Sequence, residues 1–292
     1  DAYVAMVRTS DDGAAGVSTV YVEDGTDGLS FGGLEDKMGW RSQPTAQVQF
    51  DNCNIPAGNL VGEEGKGFKY AMMGLDGGRL NIAACSLGAA QTALDATVQY
   101  MGERKAFGKS IDQFQGLQFR LADMEIEMQA ARVFLRQAAW KLDNNAPDAT
   151  KFCAMAKKFV TDTGSKVVDQ CLQLHGGYGY LADYGIEKLV RDLRVHQILE
   201  GTNEIMRVIV ARDMLKDISI RITGRAGRVT LNRPQALNAL TYEMCLAIED
   251  ALDRWSNDTS VDLIVLDAAG DRAFCSGGDI AELYATGKAG NY

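Results

Sequence analysis

The chain has 292 residues, 46% hydrophobic and 24% charged, with 30 Lys and Arg against 39 Asp and Glu and a net charge of -9. That composition is globular and long enough for two domains or more, which excludes disordered and fibrous classes. The acidic sum, with basic residues only in short pairs such as Arg104 and Lys105 or Lys157 and Lys158, argues against nucleic acid as a partner. No run of about 18 apolar residues offers a membrane span, and the opening DAYVAMVRTSDDG lacks the basic and apolar regions of a signal peptide.

Residues 1 to 62 read as strands. YVAMVRT, VSTVYVE and TAQVQFDNCNI alternate apolar with polar or run β-branched, and Gly- and Asp-rich turns such as DDGAAG and EDGTDG separate them. This predicts part of an antiparallel β-domain. Because the strand pattern is already under way at Asp1, the chain reads as the interior of a longer protein.

From 63 to 216 the period becomes helical. Leu117, Leu121, Met124, Met128, Ala131, Leu135, Ala138 and Leu142 follow at steps of four and three, drawing one apolar seam along a helix of about seven turns. Neighbouring helices are predicted over 82–101 and over 149–174, the second announced by Pro147 and Asp148. Long helices with short connections imply an antiparallel bundle. In LDGGRLN, 75–81, the glycine pair is expected to interrupt the helical pattern ahead of Arg79.

Residues 217 to 292 change texture again. A hairpin is predicted over 218–234, an amphipathic helix over 241–258 with Thr241 as its N-cap, and a buried strand over 262–270. A β-α-β order after an all-helical stretch marks a separate domain.

The six cysteines are widely spaced, form no C-x-x-C pair and read as reduced core residues. With only His175 and His196, and no H-x-x-x-H spacing, no metal site is expected.

Four segments carry candidate chemistry. In HQILEGTNEIMR, 196–207, Glu200 follows the apolar pair Ile198 and Leu199 and precedes a glycine at the mouth of a helix. It reads either as a helix-start charge or as a base whose pKa burial raises and the helix dipole lowers. QLHGGYGYL, 173–181, is a C-cap turn or a place where glycines let a ligand approach the backbone. RKAFGKSIDQFQ, 104–115, presents Arg104 and Lys105 to a phosphate or simply ends a solvated helix. LDGGRLN places Gly77 and Gly78 ahead of Arg79.

In combination, R-K-x-F-G, Q-x-H-G-G-x-G and E-G-T-N-E-I resemble the acyl-CoA dehydrogenase family over residues 1 to about 216, most of all its branch acting on isobutyryl-CoA. The resemblance implies an α+β multidomain chain: a partial antiparallel β-domain over 1–62, then an antiparallel four-helix bundle over 63–216. It also implies FAD as cofactor and α,β-dehydrogenation of a short branched acyl-CoA, as in valine catabolism. Glu200 would be the α-proton base, and its backbone N–H with a flavin ribityl hydroxyl would stabilise the enolate. By the same resemblance Asp76, Gly77, Gly78, Arg79 and Arg212 would contact acyl-CoA. Arg104, Phe114, Gln115, Gln173, Leu174, His175, Gly176, Gly177, Thr202, Asn203 and Glu204 would contact FAD. A homotetramer with FAD at the subunit interface and electron-transferring flavoprotein as electron acceptor are implied too, in a bacterial cytoplasm or a mitochondrial matrix. The family's N-terminal helical domain and first β-half do not precede Asp1, so FAD binding is expected to need those parts.

RVTLNRPQALNALTYEM followed by AFCSGGDIAELY resembles the start of the enoyl-CoA hydratase and isomerase (crotonase) superfamily, in its 3-hydroxyisobutyryl-CoA hydrolase branch. A truncated crotonase-like α/β segment over 217–292 follows from it, with Gly278 as one half of an oxyanion hole. That segment is expected to be inactive alone, and the whole looks like a join of two adjacent coding regions. Two alternatives remain from the sequence: a crotonase-fold hydrolase or hydratase, and an inactive bundle that binds CoA thioesters or oligomerises.

Overall fold

The computed structural model describes residues 2–288, and the chain divides into two compact units, Asp1–Val210 and Ala211–Tyr292.

The first unit begins with β1 (Ala2–Arg8) and β2 (Val17–Glu23), paired antiparallel from Ala2 opposite Glu23 to Arg8 opposite Val17. β3 (Leu29–Phe31) and β4 (Val48–Phe50) form a second antiparallel pair. The strand expected over 45–55 is thus only three residues long. Asp51 and Asn52 fall to a bend and Asn52 takes a left-handed φ of 52°, which ends the ladder.

Helix α1 (Gly67–Glu103) then runs for 37 residues. It passes through Gly77 and Gly78 without a break, against the interruption expected there. Each interior glycine costs roughly 1 kcal/mol, but burial of Arg79, Leu80, Ile82 and Ala83 straight afterwards holds the helix together. A short hairpin of β5 (Lys105–Ala106) and β6 (Lys109–Ser110) leads to α2 (Gln115–Asp143), and α3 (Ala149–His175) follows. The apolar seam predicted for α2 is present: Met124, Met128, Ala131 and Ala138 are buried.

Contacts along the helices fix their directions. Arg120 meets Gln170, Phe134 meets Phe159 and Lys141 meets Asp148, so α2 and α3 are antiparallel. Asp76 meets Thr150 and Tyr100 meets His175, so α1 and α3 run parallel. Between them lies one core, which includes Leu87, Leu94 and Met101 of α1, Met128 of α2, and Val160, Val167 and Cys171 of α3. Full burial of a side chain such as Met101 or Met128 contributes about 1.5–3 kcal/mol. Helix α4 (Ile186–Arg194) adds Ile186 and Leu193 to this core, and α5 (Asn203–Met214) follows.

In the second unit β7 (Ile218–Thr223) and β8 (Ala226–Leu231) form the predicted hairpin, α6 (Tyr242–Ser256) crosses over, and β9 (Leu263–Ala268) pairs parallel to β8. The Thr241 hydroxyl caps α6 by accepting from the Met244 N–H at 3.2 Å. Val229, Ala251 and Trp255 form its core. β9 is not the buried strand its apolar run suggested. It lies at the edge of a sheet ordered β7-β8-β9, and Leu263, Ile264 and Leu266 are 53%, 50% and 48% exposed. A helix α7 (Ile280–Lys288) closes the described residues.

Candidate active site

Glu200 lies in a turn, not in the first turn of a helix. After the 3-10 turn Val195–Gln197, the amides of Ile198 and Leu199 both bond to the Val195 carbonyl, at 2.8 and 3.0 Å. The chain then reverses through two left-handed residues, Glu200 at φ 56° and Gly201 at φ 83°. α5 starts only at Asn203, capped by the Thr202 hydroxyl accepting from the Ile205 N–H at 3.3 Å. Glu204, rather than Glu200, is therefore the acidic residue of the helix start, and it pairs with Arg207 at 3.2 Å.

The carboxylate of Glu200 is half-buried and stands over α1 at Gly78. A Cβ on Gly78 would lie 2.4 Å from Glu200 Oε2, so any side chain there would displace the carboxylate from its present position. Ile198, expected to bury it, is itself 51% exposed. Among the described residues the Glu200 N–H has no acceptor, so this amide is open to an incoming carbonyl oxygen.

Arg79, one residue beyond Gly78, is buried and donates from Nη1 to Asp76 Oδ1 at 2.7 Å. Thr150 anchors the other Asp76 oxygen at 2.6 Å. Arg79 Nε is buried without a partner among the described residues. The structure therefore brings Asp76, Gly77, Gly78 and Arg79 to Glu200. Arg212 is exposed on the last turn of α5 and falls in the second unit.

Two groups beneath the turn have no motif of their own. Lys157 is fully buried on α3 and donates to the Gly201 carbonyl at 2.8 Å and to Asn203 Oδ1 at 2.9 Å. Burial brings its pKa down to about 8, against the pull of Asp162, Glu200 and Glu204. Its seam position was legible: Cys153, Lys157, Val160, Gly164, Val167 and Cys171 alternate steps of four and three, and all are buried. His196 is the second. Its Nε2 accepts the Trp40 indole N–H at 3.1 Å, and an indole only donates, so Nδ1 carries the proton and faces Ser86 Oγ at 2.6 Å. Burial pushes His196 down to about 4. The Trp40 amide also donates to Asp192 Oδ1 at 2.7 Å, which ties the β-rich segment to the stretch leading into Glu200.

At the far end of α1 and α3 a cavity of about 440 Å³ is lined by Arg104, Gln173, Leu174, His175, Gly176 and Gly177 together with Tyr100 and Tyr178. His175 stacks on Tyr100 with ring centroids 4.3 Å apart, and its Nδ1 hydrogen-bonds the Cys171 carbonyl at 2.8 Å. Gly176 adopts φ 61° and ψ -139°, a conformation essentially reserved for glycine. Phe114 lines a second, apolar cavity of about 400 Å³ with Phe107 and Leu117, and Gln115 opens α2, exposed. Arg104, the exposed Gly176 and Gly177 backbone with open space where a Cβ would lie, and the aromatic walls fit a phosphate-bearing aromatic cofactor.

Thr202, Asn203 and Glu204 are not part of that cavity. The Asn203 side chain is committed inward: Nδ2 to Asp162 Oδ1 at 2.7 Å and to Thr161 at 3.0 Å, Oδ1 to Lys157.

In the second unit Gly278 precedes α7, and its flanking backbone bonds to Leu240 through the Gly277 carbonyl and the Asp279 N–H, both at 2.8 Å. Among the described residues its own N–H has no acceptor. Arg233, bound to Asp279 at 2.8 Å, and Asn238, donating to the Ala269 and Ala273 carbonyls, hold this loop.

Comparison with known proteins gives the family. Residues 226–292 match the enoyl-CoA hydratase/isomerase family. The mitochondrial isobutyryl-CoA dehydrogenase of Bos taurus is 50% identical over 217 residues, which are 74% of this chain and 52% of that protein. The butyryl-CoA dehydrogenase structure from Megasphaera elsdenii is 40% identical with a TM-score of 0.71, over 74% of this chain and 56% of that one. A structure of PigA with FAD and proline is 28% identical with a TM-score of 0.70, over 73% of this chain and 56% of that one. The chain thus spans about half the length of the curated relatives it matches. Residues 65–215, half of the chain, match the acyl-CoA dehydrogenase C-terminal domain, and the chain belongs to the acyl-CoA dehydrogenase family.

Proposed function

We propose that residues 1 to 216 carry the base-bearing part of an FAD-dependent dehydrogenase that converts a short branched acyl-CoA, isobutyryl-CoA first, to its 2-enoyl thioester. The observation that carries this reading is the Glu200 carboxylate over Gly78, with its own N–H unpartnered.

A thioester carbonyl oxygen accepts the Glu200 N–H, which stabilises charge that grows as the α-proton leaves. Glu200 takes that proton, and the electron pair of the α C–H bond becomes the new C=C bond. FAD, when bound, supplies the acceptor for the β-hydride, which balances the oxidation. Arg79, oriented by Asp76 and Thr150, supplies a fixed positive charge beside the acyl thioester. Arg212 serves the CoA part. Thr202 and Glu204 at the start of α5 would contact the FAD beside Glu200, while Arg104, Phe114, Gln115 and the 173–177 backbone would hold the FAD of a neighbouring copy. The buried Asn203 would act by fixing that helix start.

The relative's name supports isobutyryl-CoA and hence a place in valine breakdown, in a mitochondrial matrix or a bacterial cytoplasm. A homotetramer that passes electrons to electron-transferring flavoprotein is part of the same reading. Residues 217–292 would be a crotonase-like start with Gly278 as one oxyanion donor, and the activity proposed for the chain rests on residues 1 to 216.

The test joins the chain to the N-terminal half of the bovine relative, records the flavin band and adds isobutyryl-CoA without oxygen. Bleaching is expected, and Glu200→Gln should slow it about 10²–10⁴-fold with flavin retained. Bleaching that survives Glu200→Gln would refute the base, and a flavin unchanged by any short acyl-CoA would refute the reaction.

A further inference from the structure

We propose that Trp40 is a positioning residue for the base: its indole N–H and its backbone N–H together hold the 3-10 turn Val195–Gln197, from which the Glu200 turn hangs. This rests on the reading of Glu200 as the base.

A carboxylate that takes a proton from carbon must be aimed, and among the described residues the Glu200 side chain has no hydrogen bond or ion pair to aim it. Its place therefore follows from the backbone that carries it. On the N-terminal side that backbone depends on one acceptor, the Val195 carbonyl, which receives the Ile198 and Leu199 amides at 2.8 and 3.0 Å. The middle residue of the 3-10 turn, His196, is 2% exposed and is held from both sides. Its Nδ1 meets Ser86 Oγ of α1 at 2.6 Å and its Nε2 accepts the Trp40 indole N–H at 3.1 Å, with the two rings edge to face at 5.3 Å and 85°. A buried imidazole with both nitrogens matched has one orientation and one tautomer. Without the indole N–H a buried acceptor is left unsatisfied. The ring relieves that by turning or by moving its proton to Nε2, and either change shifts the turn ahead of Glu200.

Trp40 is itself fixed. Its φ of 53° lies in the left-handed region, which a bulky L-residue takes only where its surroundings impose it. Those surroundings are the end of α4. The Trp40 amide donates to Asp192 Oδ1 at 2.7 Å, and Lys188 holds the other Asp192 oxygen. Arg191 donates from Nη1 to the Met38 carbonyl at 2.8 Å, and a Cβ on Gly39 would fall 2.5 Å from the Arg191 carbonyl oxygen. Residues 38–40 thus lie directly on the last turns of α4, and the strained backbone carries the indole past the helix end to His196. A phenylalanine ring could fill the same space. The N–H is what His196 requires, so packing and positioning are separable by substitution.

Two measurements test this. Nitrogen-15 spectra of the histidine rings in the 292-residue chain should show His196 protonated at Nδ1 and bare at Nε2 in wild type, and protonated at Nε2 in Trp40→Phe. A wild-type His196 protonated at Nε2 overturns the proposal without any variant. In the chain joined to the N-terminal half of the bovine relative, Trp40→Phe should slow limiting bleaching about 10-fold, as a small misplacement of a reacting group does. Flavin content and the half-saturating isobutyryl-CoA concentration should hold. His196→Leu should slow bleaching too, and the double variant no further than His196→Leu alone, because the one residue acts through the other. Wild-type bleaching in Trp40→Phe overturns the proposal, and so does a loss confined to flavin content or half-saturation, or two losses that multiply. Bleaching that ignores Glu200→Gln would refute the base. Bleaching that obeys Glu200→Gln and ignores Trp40→Phe would refute the positioning alone.

Discussion

Acidification from about pH 7 to about pH 4 should cost the first unit about 3 kcal/mol through His196 alone. This imidazole is 2% exposed, its Nε2 accepts the Trp40 indole, and its Nδ1 faces Ser86. Burial moves it from the ordinary 6.5 to about 4, with Asp192 pulling the other way and Lys157 reinforcing the shift. Between those values the unfolded chain binds a proton that the folded one does not, so stability is full above the unfolded pKa and falls as pH drops through the window. About 1.4 kcal/mol per pH unit over that interval gives the figure. Burial would raise Asp162 and Asp192, but hydrogen bonds from Lys158, Gln197 and Asn203 to the first, and from Lys188 and the Trp40 amide to the second, hold both below the usual carboxylate range. Their losses come at lower pH and do not fill the same window. Urea melts followed by helical circular dichroism, on wild type and His196→Gln at the two pH values, isolate the histidine. Wild type should lose about 3 kcal/mol more than the variant, and parallel losses would refute the assignment of a neutral, indole-bound ring.

Two further substitutions probe the site. Gly78→Ala puts a methyl 2.4 Å from Glu200 Oε2, so the carboxylate must swing away. Bleaching should slow about 10²-fold, as misplacement of a reacting group by about 1 Å does, with the urea midpoint held or raised because alanine replaces an interior helical glycine, and a variant as fast as wild type would contradict the placement of the acid. Gly176→Ala forces an L-residue to φ 61° and ψ -139°, at a cost of about 1–3 kcal/mol. That should appear as a lower urea midpoint and a lower flavin content, and an unaltered midpoint would argue against the strained turn.

How much of this was legible in the sequence depends on the range of the interaction. Local signals were readable: the α2 seam, the Thr241 cap and the 218–234 hairpin are set by neighbours within a few residues. Glu200 was found by its motif, but its setting was not, because the left-handed turn is stabilised by Lys157, 43 residues upstream, and Gly78 is farther still. Lys157 looked like half of a basic pair until its place on the α3 seam was considered. Trp40 and His196, 156 residues apart, leave no local trace of their pairing. β9 failed for the opposite reason, since an apolar run reports what a strand tolerates and not whether another layer covers it.

The length of α1 constrains how the site is assembled. Gly78, under the base, and Arg104, on the glycine-lined cavity, are separated along one continuous helix by about 39 Å at 1.5 Å per residue. A rigid rod of that length keeps the two places apart whatever the loops do, and the gap exceeds the span of a single dinucleotide. Under the proposed function, a flavin beside Glu200 and a group in the Arg104 cavity are therefore two different molecules. Each copy of the chain would lend one end of its longest helix to its own chemistry and the other to a neighbour's. Activity would then scale with the concentration of assembled copies, and mixing chains damaged at opposite ends would restore part of it.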